Sequence, residues 1–152
     1  MASQSVGWIA VLILLFSLVS PVATVSFFGE YLSTFTPLDV MLSTDPLRLE
    51  EMYQADLDKY GQPMATLGVI FYFISFAVPL IGVGAALLNK KKLYYLAGSL
   101  SLVFAISMCV SISYVAGQSY MGFVRPGLAV YLAFGAGIAF LYAGSQVKKL
   151  YY

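Results

Sequence analysis

Residues 60–92 read YGQPMATLGVIFYFISFAVPLIGVGAALLNKKK, and this stretch decides the fold class. Residues 60–89 carry no Asp, Glu, Lys or Arg, and three lysines follow them directly. A helix needs about 20 consecutive apolar residues to cross the hydrocarbon core of a bilayer. The stretch therefore predicts a membrane-spanning helix that ends in a short basic turn.

Three further blocks without charged residues make up most of the remaining chain: 1–29, 93–124 and 126–147. Over all 152 residues, 61% are hydrophobic and 10% are charged, whereas about a quarter of a soluble domain is charged. This composition excludes a soluble domain, a disordered chain and a nucleic-acid binder. We predict an all-α membrane protein, a single integral membrane domain over residues 1–152, built as an antiparallel bundle of four transmembrane helices. The predicted spans are residues 7–28, 64–88, 93–116 and 127–145.

Pro21 lies inside the first predicted span. We expect it to kink the helix, because neighbouring helices in a membrane can satisfy the carbonyl that proline leaves free. A cleaved signal peptide is the alternative for this region, since small residues stand near Ala23. Residues 1–6 carry no Lys or Arg, and the apolar run is longer than a usual signal-peptide core, which favours a retained span.

Charge is distributed unevenly between the connections. All seven acidic residues lie between Glu30 and Asp58, whereas five lysines stand at 90–92 and 148–149. Short Lys-rich connections stay on the cytoplasmic side of a membrane. We therefore expect an integral protein of the cell membrane with both termini in the cytoplasm and the acidic segment 30–63 outside. Arg125, in the second outer turn, is a candidate to pair with those acids and clamp the two outer connections together.

The outer segment is predicted to contain one short amphipathic helix. Asp45 is a capping residue, Pro46 suits the first helical position, and Gly61 and Pro63 end the pattern. The polar face is acidic, which disfavours attraction to anionic lipid and favours docking on protein. The predicted partner-binding face consists of the apolar residues at helical spacing: Leu49, Met52, Tyr53, Leu57 and Tyr60.

Small residues recur every three or four positions in the last three predicted spans. Membrane helices associate through such residues, because lipid tails are as apolar as leucine and close packing must hold the bundle. The last span has two small-residue faces, so we expect it to contact two neighbours, one of them a candidate for another chain. The predicted helix-packing residues are Gly82, Ala86, Gly98, Ser101, Ala105, Cys109, Ser113, Ala129, Ala133, Gly135, Gly137, Ala139 and Ala143.

The predicted spans contain no ionisable acid or base that could carry chemistry. The chain has no histidine, and its single cysteine, Cys109, lies in mid-span. Charged groups inside membranes mark ion paths and proton relays, and no nucleotide, nucleophile or metal motif is present. We predict no enzyme activity, no catalytic residue, no metal site and no cofactor. The alternative is a quinone or lipid pocket built from aromatic residues: Phe71, Tyr72, Phe73, Phe76 and Tyr131.

The layout resembles that of claudin-like and other tetraspan proteins. It shares two cytoplasmic termini, a larger first outer segment, a Lys-rich inner turn and a short second outer turn. The outer segment lacks the tryptophan-and-cysteine signature of those families, so the resemblance covers topology only.

These features favour a non-catalytic subunit that packs into and stabilises a larger membrane protein complex, for example a respiratory or other oxidoreductase complex. Its expected partners are the lipid bilayer and other integral membrane subunits or further copies of itself, and no nucleic acid. One alternative is a self-associating tetraspan scaffold or adhesion-type protein. Another is a channel or facilitator for a small neutral solute, lined by serines of the third span: Ser101, Ser107, Ser111 and Ser113. Serines in membrane helices more often bond to the carbonyl one turn back.

Overall fold

The computed structural model describes residues 2–27, 30–33, 36–118 and 123–147. Four of its helices are long and apolar enough to cross a membrane, which confirms the predicted four-helix membrane fold. The helices are α1 (Ala2–Val19), α2 (Pro37–Ser43), α3 (Leu49–Tyr60), α4 (Gln62–Leu88), α5 (Lys91–Gln118) and α6 (Leu128–Gln146). A 3-10 turn (Pro46–Arg48) precedes α3, and the strands are β1 (Ala23–Phe27), β2 (Glu30–Ser33) and β3 (Phe123–Pro126).

The four long helices form a ring in which each packs on two neighbours. α1 lies between α4 and α6, and α5 lies between the same two helices on the opposite side. At one end, the Ser3 hydroxyl donates a 3.0 Å hydrogen bond to the side-chain oxygen of Asn89. At the other end, the Ser17 hydroxyl donates a 2.7 Å hydrogen bond to the carbonyl of Ala129. Because each bond joins the start of one helix to the end of another, these neighbours run antiparallel, as predicted.

The tight basic turn between α4 and α5 is also present. Asn89 adopts the left-handed conformation (φ 47°, ψ 41°), and its N–H donates to the carbonyl of Ala85 at 2.9 Å. Asparagine tolerates this conformation better than most residues. α5 then begins at Lys91, and this turn lies at the same end of the bundle as the start of α1.

The predicted extension of the first span to residue 28 is wrong, as is the predicted kink at Pro21. α1 ends at Val19, and residues 23–27 form a strand. Proline has no N–H to continue the helical ladder, and its ring disfavours a helical conformation in the residue before it. Pro79 nevertheless lies within α4. The two prolines are followed by different residues. The β-branched and aromatic residues after Pro21 suit a strand, and β1 pairs with a strand on each side.

A small antiparallel sheet in the order β2-β1-β3 covers the end of the bundle opposite Asn89. β1 pairs with β2 through Thr24 and Ser33, and with β3 through Thr24 and Arg125. The sheet therefore joins the connection between α1 and α4 to the connection between α5 and α6. Arg125 is exposed and forms no ion pair with the described residues, so a backbone ladder makes the link that we expected from a salt bridge.

The outer segment folds as two helices instead of the single predicted one. Thr36 and Asp39 form a capping box that starts α2. Asp45 accepts a 2.9 Å hydrogen bond from the N–H of Leu47 and caps the 3-10 turn, as its predicted capping role requires, but α3 itself begins only at Leu49. Gly61 ends α3 with φ 88°, a value that favours glycine. The chain reverses there, and α3 packs back along the beginning of α4.

Candidate functional site

The seam between α5 and α6 brings two span backbones close together. A Cβ atom added at Gly98 would lie 3.0 Å from the carbonyl oxygen of Gly137, and one added at Gly137 would lie 3.2 Å from the carbonyl oxygen of Gly98. Leu102 and Leu141 cover the two glycines from the sides. Glycine at both positions therefore lets the two backbones meet, as small residues do in membrane helix pairs.

Most of the other predicted helix-packing residues also lie inside the bundle. A Cβ atom at Gly82 would lie 2.8 Å from the ring of Phe140, which crosses the bundle from α6. Fully buried members are Ala86, Ser101, Ala105, Ala129, Ala133 and Ala143. Cys109, Gly135 and Ala139 are half-buried, and Ser113 is exposed.

α6 packs on two helices of this chain. Gly137 meets Gly98 of α5, and the carbonyl of Ala129 accepts a hydrogen bond from Ser17 of α1. The two neighbours expected from the sequence are therefore α1 and α5. The face of α6 that points away from both carries Leu128, Tyr131, Ile138 and Tyr142, which are exposed as lipid-facing residues are.

The serines of α5 donate their hydroxyls to carbonyls of the same helix. Ser101 bonds to Ala97 at 2.8 Å, Ser111 to Ser107 at 2.9 Å and Ser113 to Cys109 at 3.0 Å. Ser107 bonds to Phe104 at 2.7 Å. Such bonds satisfy a hydroxyl in an apolar setting without a partner helix or water. The arrangement supports helix packing and gives no support to a solute path along these serines.

The predicted partner-binding face of the outer helix lies against the bundle. Its five residues, Leu49, Met52, Tyr53, Leu57 and Tyr60, are all half-buried, and α3 packs on α4. Part of this face is therefore covered by the protein's own span. α3 therefore packs over one end of the bundle.

A cavity of about 260 Å³ lies between α3 and the bundle, and we call it the outer cavity. Its walls are formed by residues of the segment just past α1 and of α2, α3, α4 and α5. Its lining residues are Val22, Val40, Met52, Asp56, Tyr60, Met64, Gly68, Phe71 and Ser111. Asp56 is the charged residue in this otherwise apolar and neutral lining.

Asp56 faces α4 at a glycine. A Cβ atom at Gly68 would lie 3.1 Å from the Asp56 carboxylate, so the absence of a side chain there makes room for it. The carboxylate has no hydrogen bond or ion pair with the described residues. Burial beside apolar side chains raises the pKa of the Asp56 carboxyl above its ordinary value of 3.8, while the positive charge of Lys59 opposes the rise.

The helical spacing of the apolar residues in α3 already indicates that Asp56 lies on the apolar face. Leu49, Met52, Tyr53, Leu57 and Tyr60 recur at steps of three and four, and position 56 belongs to the same face of the helix. An acid on the apolar face of an amphipathic helix departs from the pattern, and Asp56 is half-buried there.

The raised pKa of Asp56 predicts how stability depends on pH. Because the native pKa exceeds the unfolded one, the stabilisation is fully present below pH 3.8 and is lost as the pH rises through the native pKa. Asp56→Asn removes the charge, so its thermal midpoint at pH 7 should exceed that of the wild type, and the gap should close below pH 3.8. Lys59, the cation that acts on this carboxyl, stays charged throughout this range.

Thermal unfolding in a maltoside detergent at pH 3.5, 5 and 7 measures this difference. Asp58→Asn is the matched control, because Asp58 is an exposed acid on the same helix, and it should leave the midpoint unchanged. A lower midpoint for Asp56→Asn at pH 7 would contradict the prediction and show that the carboxylate is stabilising.

The connection between α1 and α4 carries a second distinctive feature, two strongly exposed leucines. Leu42 in α2 is 77% exposed, and Leu47 in the 3-10 turn is 93% exposed. The next most exposed large hydrophobic residue is Leu80 at 72%, and it lies on a span, where lipid covers it. Leu42 and Leu47 lie outside the spans, and we call them the leucine pair.

Exposed acids stand close to the leucine pair in the chain. Asp39, Asp45, Glu50 and Glu51 are all exposed. Comparison with family models, with curated proteins and with solved structures found no match to this chain.

Proposed function

We propose that this integral membrane protein is a non-catalytic subunit that binds a partner membrane protein through the leucine pair of its outer segment. The observation that carries the proposal is the exposure of Leu42 and Leu47, at 77% and 93%, outside the spans. Exposed apolar side chains that lipid does not cover lose contact with water when they enter a partner's pocket, which favours association. A few such anchors supply most of the binding energy at an interface.

Leu47 is held in place before any partner binds. Pro46 restricts the backbone of the turn, and the Asp45 carboxylate accepts the N–H of Leu47 at 2.9 Å. A preordered anchor loses less conformational entropy on binding than a mobile one. This rigidity supports a docking role for the turn.

The acids around the leucine pair define the chemistry of the partner. Asp45, Glu50 and Glu51 are exposed beside Leu47 in the chain, so a matching surface has an apolar pocket with Lys or Arg at its rim. The same acids disfavour insertion of the pair among anionic lipid headgroups. We therefore infer a protein partner, with the acidic segment on the outer side of the cell membrane.

The residues of the spans also favour a role in protein contact over a role in catalysis. The chain has no histidine, and its predicted spans have no charged residue, so the proposal includes no reaction. Of the two faces that first pointed to a partner, the one on α3 is half-covered by α4, and α6 packs on α1 and α5. In the proposal, the partner surface is therefore the leucine pair.

Photo-crosslinking in native membranes tests the proposal. A benzophenone amino acid at position 47 should give an adduct with a different integral membrane protein, and one at the exposed position Gln54 of α3 should not. Leu47→Ser should shift the protein out of its complex on a blue-native gel, because losing an anchor costs about 2 kcal/mol, or roughly 30-fold in affinity. Gln54→Ser is the matched control.

The alternatives predict other adducts. An adduct between two copies of the chain would favour the self-associating scaffold over the subunit. Migration as a single chain in mild detergent, with equal adducts from positions 47 and 54, would overturn the proposal.

A further inference from the structure

We propose that the outer cavity binds a small protonated amine with an apolar body, held by Asp56. This site shares no residue with the leucine pair, so its failure and the failure of the proposed function are separate results. The proposal stands on the shape of the outer cavity, its lining and the position of one carboxylate.

The charge in the outer cavity is suited to a cation. Asp56 supplies a carboxylate that no described residue hydrogen-bonds or pairs with. Lys59, the nearest candidate on the same helix, places its ammonium over the ring of Tyr60, 4.9 Å from the ring centre. Asp56 is half-buried, and a partly desolvated carboxylate gains from a charged partner. An ammonium group in the cavity would supply the partner that the chain does not provide.

The rest of the lining is suited to an apolar body. Met52 and Met64 are flexible side chains that adapt to irregular shapes. Phe71 stacks on Phe104 with ring centres 5.3 Å apart, and this pair gives the cavity a fixed aromatic wall. Aromatic faces attract cations as well as apolar groups. Together with Asp56, the aromatic wall favours a molecule that has both a cationic group and an apolar body.

The size and position of the outer cavity further restrict the kind of ligand that it can bind. Its volume of about 260 Å³ is slightly below the usual range of small-molecule pockets, roughly 300–1,000 Å³. Val22, just past the end of α1, and Ser111, late in α5, place it at the outer end of the bundle. A compact amine that partitions to the outer membrane boundary fits this place.

Calorimetric titration of the full chain in dodecyl maltoside at pH 7 tests the site. The probes are phenethylamine and its uncharged analogue phenethyl alcohol, with protein-free micelles as the blank. The wild type should bind the amine about tenfold more tightly than the alcohol, since charge-assisted hydrogen bonds are stronger than neutral ones. Asp56→Asn should weaken amine binding about tenfold and leave alcohol binding unchanged.

Two further variants separate charge from space. Asp58→Asn makes the same charge change on the exposed face of α3 and should bind the amine as the wild type does. Gly68→Leu places a side chain where the Asp56 carboxylate packs, and it should abolish binding of both probes. Equal binding of amine and alcohol, no saturable binding of the amine, or equal losses in Asp56→Asn and Asp58→Asn would each overturn the proposal.

Discussion

Gly127→Ala is expected to lower the free energy of unfolding by more than about 3 kcal/mol, because the new methyl group meets backbone rather than side chains. A Cβ atom there would collide with the Pro21 carbonyl oxygen and lie 2.8 Å from the carbonyl carbon of Val22. The N–H of Gly127 donates to the Val22 carbonyl at 2.8 Å, and that of Ala129 donates to the Pro21 carbonyl at 3.1 Å. The collision would therefore break the junction between the end of α1 and the start of α6.

The cost at Gly127 is steric and not conformational. Its backbone angles, φ −81° and ψ 174°, are open to any residue. Thermal unfolding followed by labelling of the single cysteine, Cys109, reports when the bundle opens, because this thiol is half-buried in α5. Gly84→Ala is the matched control, since no atom lies within 4 Å of its added Cβ, and it should gain about 0.5–1 kcal/mol of helix stability. Equal midpoints for the two variants would contradict the prediction.

Gly137→Val is expected to lower the free energy of unfolding by about 3 kcal/mol by forcing α6 away from α5. Its Cβ would lie 2.8 Å from Leu102 and 3.2 Å from the carbonyl oxygen of Gly98. The leucine can move in part, but the facing backbone cannot move without separating the helices. Equilibrium unfolding in SDS, followed by circular dichroism, measures the change.

Gly135→Val provides a control on the same helix, only two residues away. The nearest atom to its added Cβ is a methyl group of Ile13 at 4.0 Å, so the stability should change by about 0.5 kcal/mol or less. The sequence assigned both glycines to helix packing, and only the structure separates them. A larger loss for Gly135→Val than for Gly137→Val would refute the seam between α5 and α6.

The bounds of three spans could be predicted to within two residues. α4 covers Gln62–Leu88 where 64–88 was expected, and α6 covers Leu128–Gln146 where 127–145 was expected. Such accuracy is possible because a charge-free block is a property of the whole segment, and a few uncertain end residues do not alter it. The first span is the exception, since its charge-free block continues past Pro21 although the helix ends at Val19 and a strand follows.

The contact residues were predicted less completely. Among the residues predicted from small-residue repeats, Gly98 and Gly137 face each other across two helices, whereas Ser113 is exposed. The apolar stripe of α3 was recognised, whereas Asp56 within that stripe was not used. Periodicity states which residues share a face of a helix. It does not state what that face meets.

Four membrane spans, a basic turn after the second and an acidic segment before it can all be predicted from the amino-acid sequence alone. These properties depend on long apolar runs and on the placement of a few charges, which local composition controls. Only the tertiary structure decided that β1 joins both outer connections, that α1 and α5 are the neighbours of α6, and that Asp56 lines a cavity. Each of these depends on which segments, distant in the chain, come into contact, and no local pattern encodes that choice.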